Sequence, residues 1–224
     1  MIQIKKTPVL LCITYFGSVQ YYSKIHVHNN VYVEQYENFT KQTYRNRCEV
    51  LGANGIIPLI VPVVKGRGPK ILIKDILISY DTAWQRDHWR TIVSAYNSSP
   101  FFNYYMDELK PFFHKKWKYL FDFNLSGIDC LCTLTGIENK IQLTDNFEGV
   151  PENTVNIRSE FTPKKGHTFS DNSFLPQEYT QVFSEKFGFV PNLSILDLLF
   201  NEGPYSIKII EASLEKGGII KSKG

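Results

Sequence analysis

Residues 8–36 constrain the fold more than any other stretch of the chain. Pro8-Val-Leu-Leu-Cys-Ile-Thr14 is a short continuous apolar run, the pattern of a strand buried on both faces. Tyr15-Phe-Gly-Ser18 interrupts it, Ser18 is placed as an N-cap, and Val19, Tyr22 and Ile25 then recur at helical spacing up to Val27. Residues 31–36 return as a strand. Strand, helix and strand within about 30 residues form a right-handed βαβ unit, which makes the two strands parallel. A ligand then belongs near their carboxyl ends, where residues 18–20 would offer helix N–H groups to an anion and Gly17 would let it approach.

Residues 45–51 and 56–64 flank Gly52-Ala-Asn-Gly55, a hairpin signature in which Asn-Gly supplies positive-φ residues. If Arg45 and Arg47 both lie on its first strand, alternation sends them to one face, with Lys41 arriving from the preceding loop. Residues 65–70 read as a mobile basic loop, and residues 71–79 as a further strand with imperfect alternation. After Asp81, a candidate N-cap, residues 84–96 form a helix with Trp84, His88 and Thr91 on one stripe. Residues 103–113 and 117–134 give two more helices, closed near Gly136. Residues 144–176 read as a surface excursion with strand character around 155–158, Asn192 as the cap of a helix at 189–200, and 205–214 as the last helix before a frayed 216–224. The class is therefore α/β: an N-terminal βαβ unit with an added β-hairpin in a mixed sheet, followed by a helical C-terminal part. One domain spans 1–224, with sheet-forming (1–80), helical (81–136) and loop-plus-closing-helix (137–224) parts.

The best site candidate is the segment 32–47, where a strand runs into Lys41, Gln42, Tyr44, Arg45, Asn46 and Arg47. Three cations interleaved with amides suit a phosphate or carboxylate on a polar ligand. His88 is the histidine best placed for proton transfer near neutrality. A net charge of +3 is too small for a nucleic-acid or membrane-surface partner, and no apolar run approaches the roughly 20 residues of a membrane span. No secretory signal is evident, which makes the cytoplasm the expected location. Cys12, Cys48, Cys130 and Cys132 lack zinc-ligand spacing and read as buried thiols; His26 and His28 fall at a helix end, where histidines cap carbonyls. No metal site is expected, and no dinucleotide or P-loop motif names a cofactor.

Several blocks in order, Gln20-Tyr-Tyr-Ser-Lys-Ile25, Gln42-Thr-Tyr-Arg-Asn-Arg47, Trp84-Gln-Arg-Asp-His-Trp89, Ser99-Pro-Phe-Phe102 and Leu193-Ser-Ile-Leu-Asp-Leu-Leu-Phe-Asn-Glu-Gly-Pro204, resemble the WbqC-like family. The resemblance implies a bacterial protein of surface-polysaccharide, O-antigen-type assembly, working near sugar-nucleotide or acyl donors. With the cations at the strand ends it suggests a first reading, a transferase (nucleotidyl, acyl or aminoacyl) expected to bind an anionic donor through Lys41, Gln42, Arg45, Asn46, Arg47, Trp84 and Gln20, with His88 as general base. Many relatives carry His-Gln-Pro-Asn-Tyr at the end of the first strand; this chain has Leu11-Cys-Ile-Thr-Tyr15, so no histidine carries over there. The alternative reading is a non-catalytic binding or scaffolding protein of the same pathway.

Overall fold

The computed structural model describes residues 7–64, 70–161, 163, 171 and 173–216. The basic loop at 65–69, most of 162–172 and the tail from 217 lie outside these residues. The βαβ unit forms as its sequence dictates: β1 (Val9–Cys12), α1 (Val19–Val27) and β2 (Val31–Glu34), with β1 and β2 parallel in the register Val9↔Val31 to Cys12↔Glu34. All four β1 residues are buried, as a doubly covered parallel strand requires. Two short strands, β5 (Ile141–Leu143) and β6 (Val155–Asn156), complete a four-stranded parallel sheet in the order β5-β2-β1-β6. The excursion at 144–176 thus supplies one edge strand, and 141–143, which carries no strand pattern of its own, supplies the other.

The hairpin stays out of that sheet. β3 (Arg47–Gly52) and β4 (Gly55–Ile60) form a two-stranded antiparallel sheet of their own, turning at Ala53-Asn54 with Gly55 at φ 112°. Asn54 needs no positive φ; the glycine alone takes it. Residues 71–79 do not form a strand. A 3₁₀ turn occupies Ile73–Asp75, and the flanking backbone bonds in turn to Glu37, Leu72 bridging Asn38, then to Pro62, Lys118 and Val64. Serving several neighbours satisfies the backbone without one continuous ladder.

The helical part begins with α2 (Trp84–Tyr96), α3 (Phe102–His114) and α4 (Leu120–Thr135), the last closed by Gly136 at φ 75°. Ala83 rather than Asp81 stands at the start of α2, while Asp81 instead accepts from the Ser79 hydroxyl at 2.8 Å. A short α5 (Ser184–Phe187), then α6 (Ile195–Glu202) and α7 (Ser206–Lys216), close the chain. Where α1 meets these last helices it is buried nearly all round, with only His26 left half-exposed. Ser194, not Asn192, caps α6 by accepting from the Leu196 N–H. Asn192 caps α1 instead: at φ 57° its Oδ1 accepts from the Gln20 N–H at 2.9 Å, across 172 residues of sequence.

Phe16, Phe112, Trp117 and Phe123 form one packed group of rings between β1 and the helices, with Tyr15, Trp84 and His88 at its edge. The aromatic richness of the sequence, sixteen Phe and thirteen Tyr, goes largely into this core.

Candidate functional site

The chain leaves β1 toward β2 on one side and reaches β6 on the other, so the sheet order reverses direction at β1. Open parallel sheets bind ligands outside the carboxyl ends of such strands. At that edge lies a cleft of about 630 Å³, lined by Glu37, Asn38, Thr40, Thr43 and Arg45 after β2 and by Asn156, Arg158 and Ser159 after β6, with Phe147 and Phe161 as aromatic walls. That volume falls within the range of small-molecule sites.

Two guanidinium groups and two carboxylates organise the cleft. Arg45 grips Glu37 through a two-pronged contact, Nε to Oε1 at 2.6 Å and Nη2 to Oε2 at 2.7 Å. Arg158 stands 3.6 Å from Glu34 and 3.8 Å from Glu37 through Nη1, while its Nη2 donates to Glu148 at 2.5 Å. Glu34 is wholly buried and accepts from the Tyr36 and Glu148 N–H groups and the Thr144 hydroxyl. Buried carboxylates of this kind need both hydrogen bonds and a countercharge, and the two arginines supply the latter. Burial pushes the Cys12 thiol at the end of β1 up to about 11 against the pull of Arg45, so it stays a protonated thiol here.

The sequence-predicted residues divide. Arg45 lines the cleft. Arg47 does not: it opens β3 while Arg45 precedes that strand, so alternation never aligns the two, and Arg47 pairs with Glu49 at 2.6 Å. Asn46 is buried and clamps the hairpin exit, its Nδ2 donating to the Val61 carbonyl at 3.0 Å while its own carbonyl accepts from the Val61 N–H. Lys41 and Gln42 are exposed on the turn before Thr43, Gln42 at φ 59°. Gln20 lies on α1, bonded to Asp171 and Asn192. The expected N–H anion site at residues 18–20 is filled by the chain itself: Val19 donates to the Leu193 carbonyl and Gln20 to Asn192.

Trp84 and His88 meet edge to face in the aromatic core, 5.1 Å between ring centres. His88 is 7% exposed, and its Nδ1 meets the Tyr15 hydroxyl at 3.0 Å. Burial lowers its pKa from 6.5 to about 4, with Asp87 and the Ile60 carbonyl acting the other way. The imidazole is neutral at pH 7. Because the folded pKa lies below the unfolded one, this group stabilises the fold above pH 6.5 and loses that contribution as pH falls toward 4. The loss approaches about 3 kcal/mol. Urea unfolding at pH 7.5 and pH 4.5 checks it: His88→Gln should show a smaller fall than wild type, whereas equal falls would refute the assignment.

The remaining metal candidates take structural places. His28 Nδ1 bonds the Thr7 carbonyl at 2.8 Å, and His26 faces Glu211 on α7 at 3.6 Å. Cys130 and Cys132 stand two residues apart on α4 and so point to different sides of it. Glu37 falls within the candidate segment 32–47 without having been singled out, and Phe147, Asn156 and Arg158 lie outside it. Arg158 carried a usable signal, because it ends the stretch with strand character at 155–158 and a residue leaving a parallel strand lies at the ligand edge.

A four-stranded parallel sheet, a separate hairpin and a mostly helical C-terminal part, with a charge-organised cleft at the sheet's carboxyl edge, make this an α/β protein. The sequence pattern of the WbqC-like protein family matches residues 14–168 and 157–209, and the chain belongs to that family. It is similar to the uncharacterized protein Rv1507c of Mycobacterium tuberculosis, 26% identical over 190 residues covering 74% of this chain and 80% of the relative. No solved structure matches. Among the described residues, no helix is long and apolar enough to cross a membrane.

Proposed function

We propose that this chain is a transferase of bacterial surface-glycan precursor assembly, with the carboxyl-edge cleft as the seat of its donor. The observation that carries the reading is the pairing of Arg45 and Arg158 at the reversal point of a parallel sheet, ringed by Asn38, Thr40, Thr43, Asn156 and Ser159. Such a wall offers hydrogen bonds to a sugar or nucleotide, and Phe147 and Phe161 offer ring faces. The glycan setting is what the sequence resemblance to that family implies. In this reading Glu37, the lining carboxylate, is the group in reach of an acceptor hydroxyl or amine, and His88, which does not line the cleft, serves packing.

The test incubates the protein with sugar nucleotides or acyl-coenzyme A donors and hydroxyl- or amine-bearing sugar acceptors, with products read by mass spectrometry. Wild type should form a transfer product, and Glu37→Gln should lower turnover at least 100-fold while the donor still binds. A donor that binds the cleft and returns unchanged with every acceptor would leave a non-catalytic binding protein of the same pathway.

A further inference from the structure

Arg158 has donors to spare at the cleft wall. A guanidinium carries five N–H groups, yet Arg158 hydrogen-bonds through Nε to Asn156 Oδ1 at 3.1 Å and through Nη2 to Glu148 at 2.5 Å. Nη1 faces Glu34 and Glu37 at 3.6 and 3.8 Å, close enough to neutralise them and too far to hydrogen-bond either. The side chain is 12% exposed, lines the cleft, and its Cζ lies over the Phe147 ring, 5.2 Å from the centroid. Arg45 differs: Nε and Nη2 are both committed to Glu37.

The Glu148 carboxylate on Arg158 is loosely built in. Its side chain is 51% exposed. What anchors this residue is its backbone, at φ 56° with its N–H donating to Glu34 Oε2 at 2.8 Å. The carboxylate can therefore swing into solvent while the backbone at 148 stays where it is. An exposed ion pair of this kind is weak. It nevertheless shows that an oxyanion fits at that end of the fork.

We propose that the ligand's anionic group, a phosphate or a carboxylate, binds Arg158 in place of the Glu148 side chain, which holds the seat when the cleft is empty. The inference rests on the reading of the cleft as a ligand site and names the residue that seats the anion and the residue that competes for it. A phosphate at the Glu148 end of the fork gains a charge-assisted contact, and displacing Glu148 removes a like charge from beside it while Glu34 and Glu37 stay on the Nη1 side. Glu148 then acts as a specificity-determining residue, disfavouring anions too small to replace its contact with the fork.

Titration of inorganic pyrophosphate by calorimetry tests this on the full chain. Glu148→Gln, which keeps the backbone bond to Glu34, should bind about two- to fivefold more tightly than wild type, the range set by the strength of exposed ion pairs. Arg158→Lys keeps the charge that Glu34 and Glu37 require but loses the fork, and should bind at least fivefold more weakly than wild type. Equal affinity of wild type and Glu148→Gln, unchanged affinity in Arg158→Lys, or no pyrophosphate binding by Glu148→Gln overturns the proposal. Sugar-nucleotide binding that is blocked by filling the cleft at Ser159 but indifferent to Glu148→Gln would refute this anion seat and leave the cleft reading standing.

Discussion

Arg45→Ala is expected to lower the unfolding free energy by about 3–5 kcal/mol, the cost of leaving one member of a buried ion pair without its partner. Glu37 would keep a buried carboxylate facing Arg158 at only 3.8 Å, without a two-pronged hydrogen-bonded contact. For a chain of 224 residues the melting temperature should fall by roughly 10 °C, taking about 2–4 °C per kcal/mol. Arg47→Ala is the control. Its pair with Glu49 is more exposed, the Arg47 side chain at 26%, and solvent screening cuts its worth to about 1 kcal/mol or less. Equal losses from the two substitutions would mean that the Arg45 contact is not the buried, organising one.

Phe123→Ala should cost a similar 3–5 kcal/mol for a different reason. The ring is 1% exposed and meets Tyr15 at 5.5 Å, Trp117 at 5.7 Å and Trp84 and Phe112 at 5.9 Å between centroids. Removing it opens a cavity walled by rigid rings that cannot collapse to fill it. The next residue, Asn124, donates to the Arg45 carbonyl at 2.7 Å, which ties this helix to the cleft. Phe123 itself does not line the cleft, so the folded fraction should bind ligand with nearly wild-type affinity. Denaturant unfolding measures the first effect and ligand titration well below the melting temperature the second; a large loss of affinity would show that the aromatic core positions the site more tightly than this.

Local pattern made α1 and α2 legible through their apolar spacing, although neither Ser18 nor Asp81 caps its helix with a side-chain hydrogen bond. The hairpin was legible for the same reason, its turn chemistry being written in adjacent residues. Strands β5 and β6 are three and two residues long, too short for any period to show, and exist because β2 and β1 offer them parallel partners. The site suffered in the same way. Arg45 stood out among neighbouring cations, but Phe147 and Arg158, which line the cleft with it, are brought there by strand order, which adjacent residues do not encode. The charge-rich segment does not converge on one place: Arg47 and Asn46 bond within the hairpin, and Lys41 and Gln42 stand on an exposed turn. Asn192 shows the limit of cap signals, since its type announced a cap and its sequence neighbours named the wrong helix.

The central claim is that ligand binds in the carboxyl-edge cleft, and a thermal-shift panel on wild type and Ser159→Trp tests it most directly. Ser159 is exposed and lines the cleft, so a tryptophan there fills the space at little cost to the fold. The panel comprises sugar nucleotides, nucleoside triphosphates, acyl-coenzyme A species and amino acids. A ligand at about 100 times its dissociation constant adds about 2.7 kcal/mol, a rise of several degrees for a chain of this size. One donor class should give that rise in wild type and lose it in Ser159→Trp, with the ligand-free melting temperature unchanged. An equal rise in both proteins would place the ligand outside the cleft.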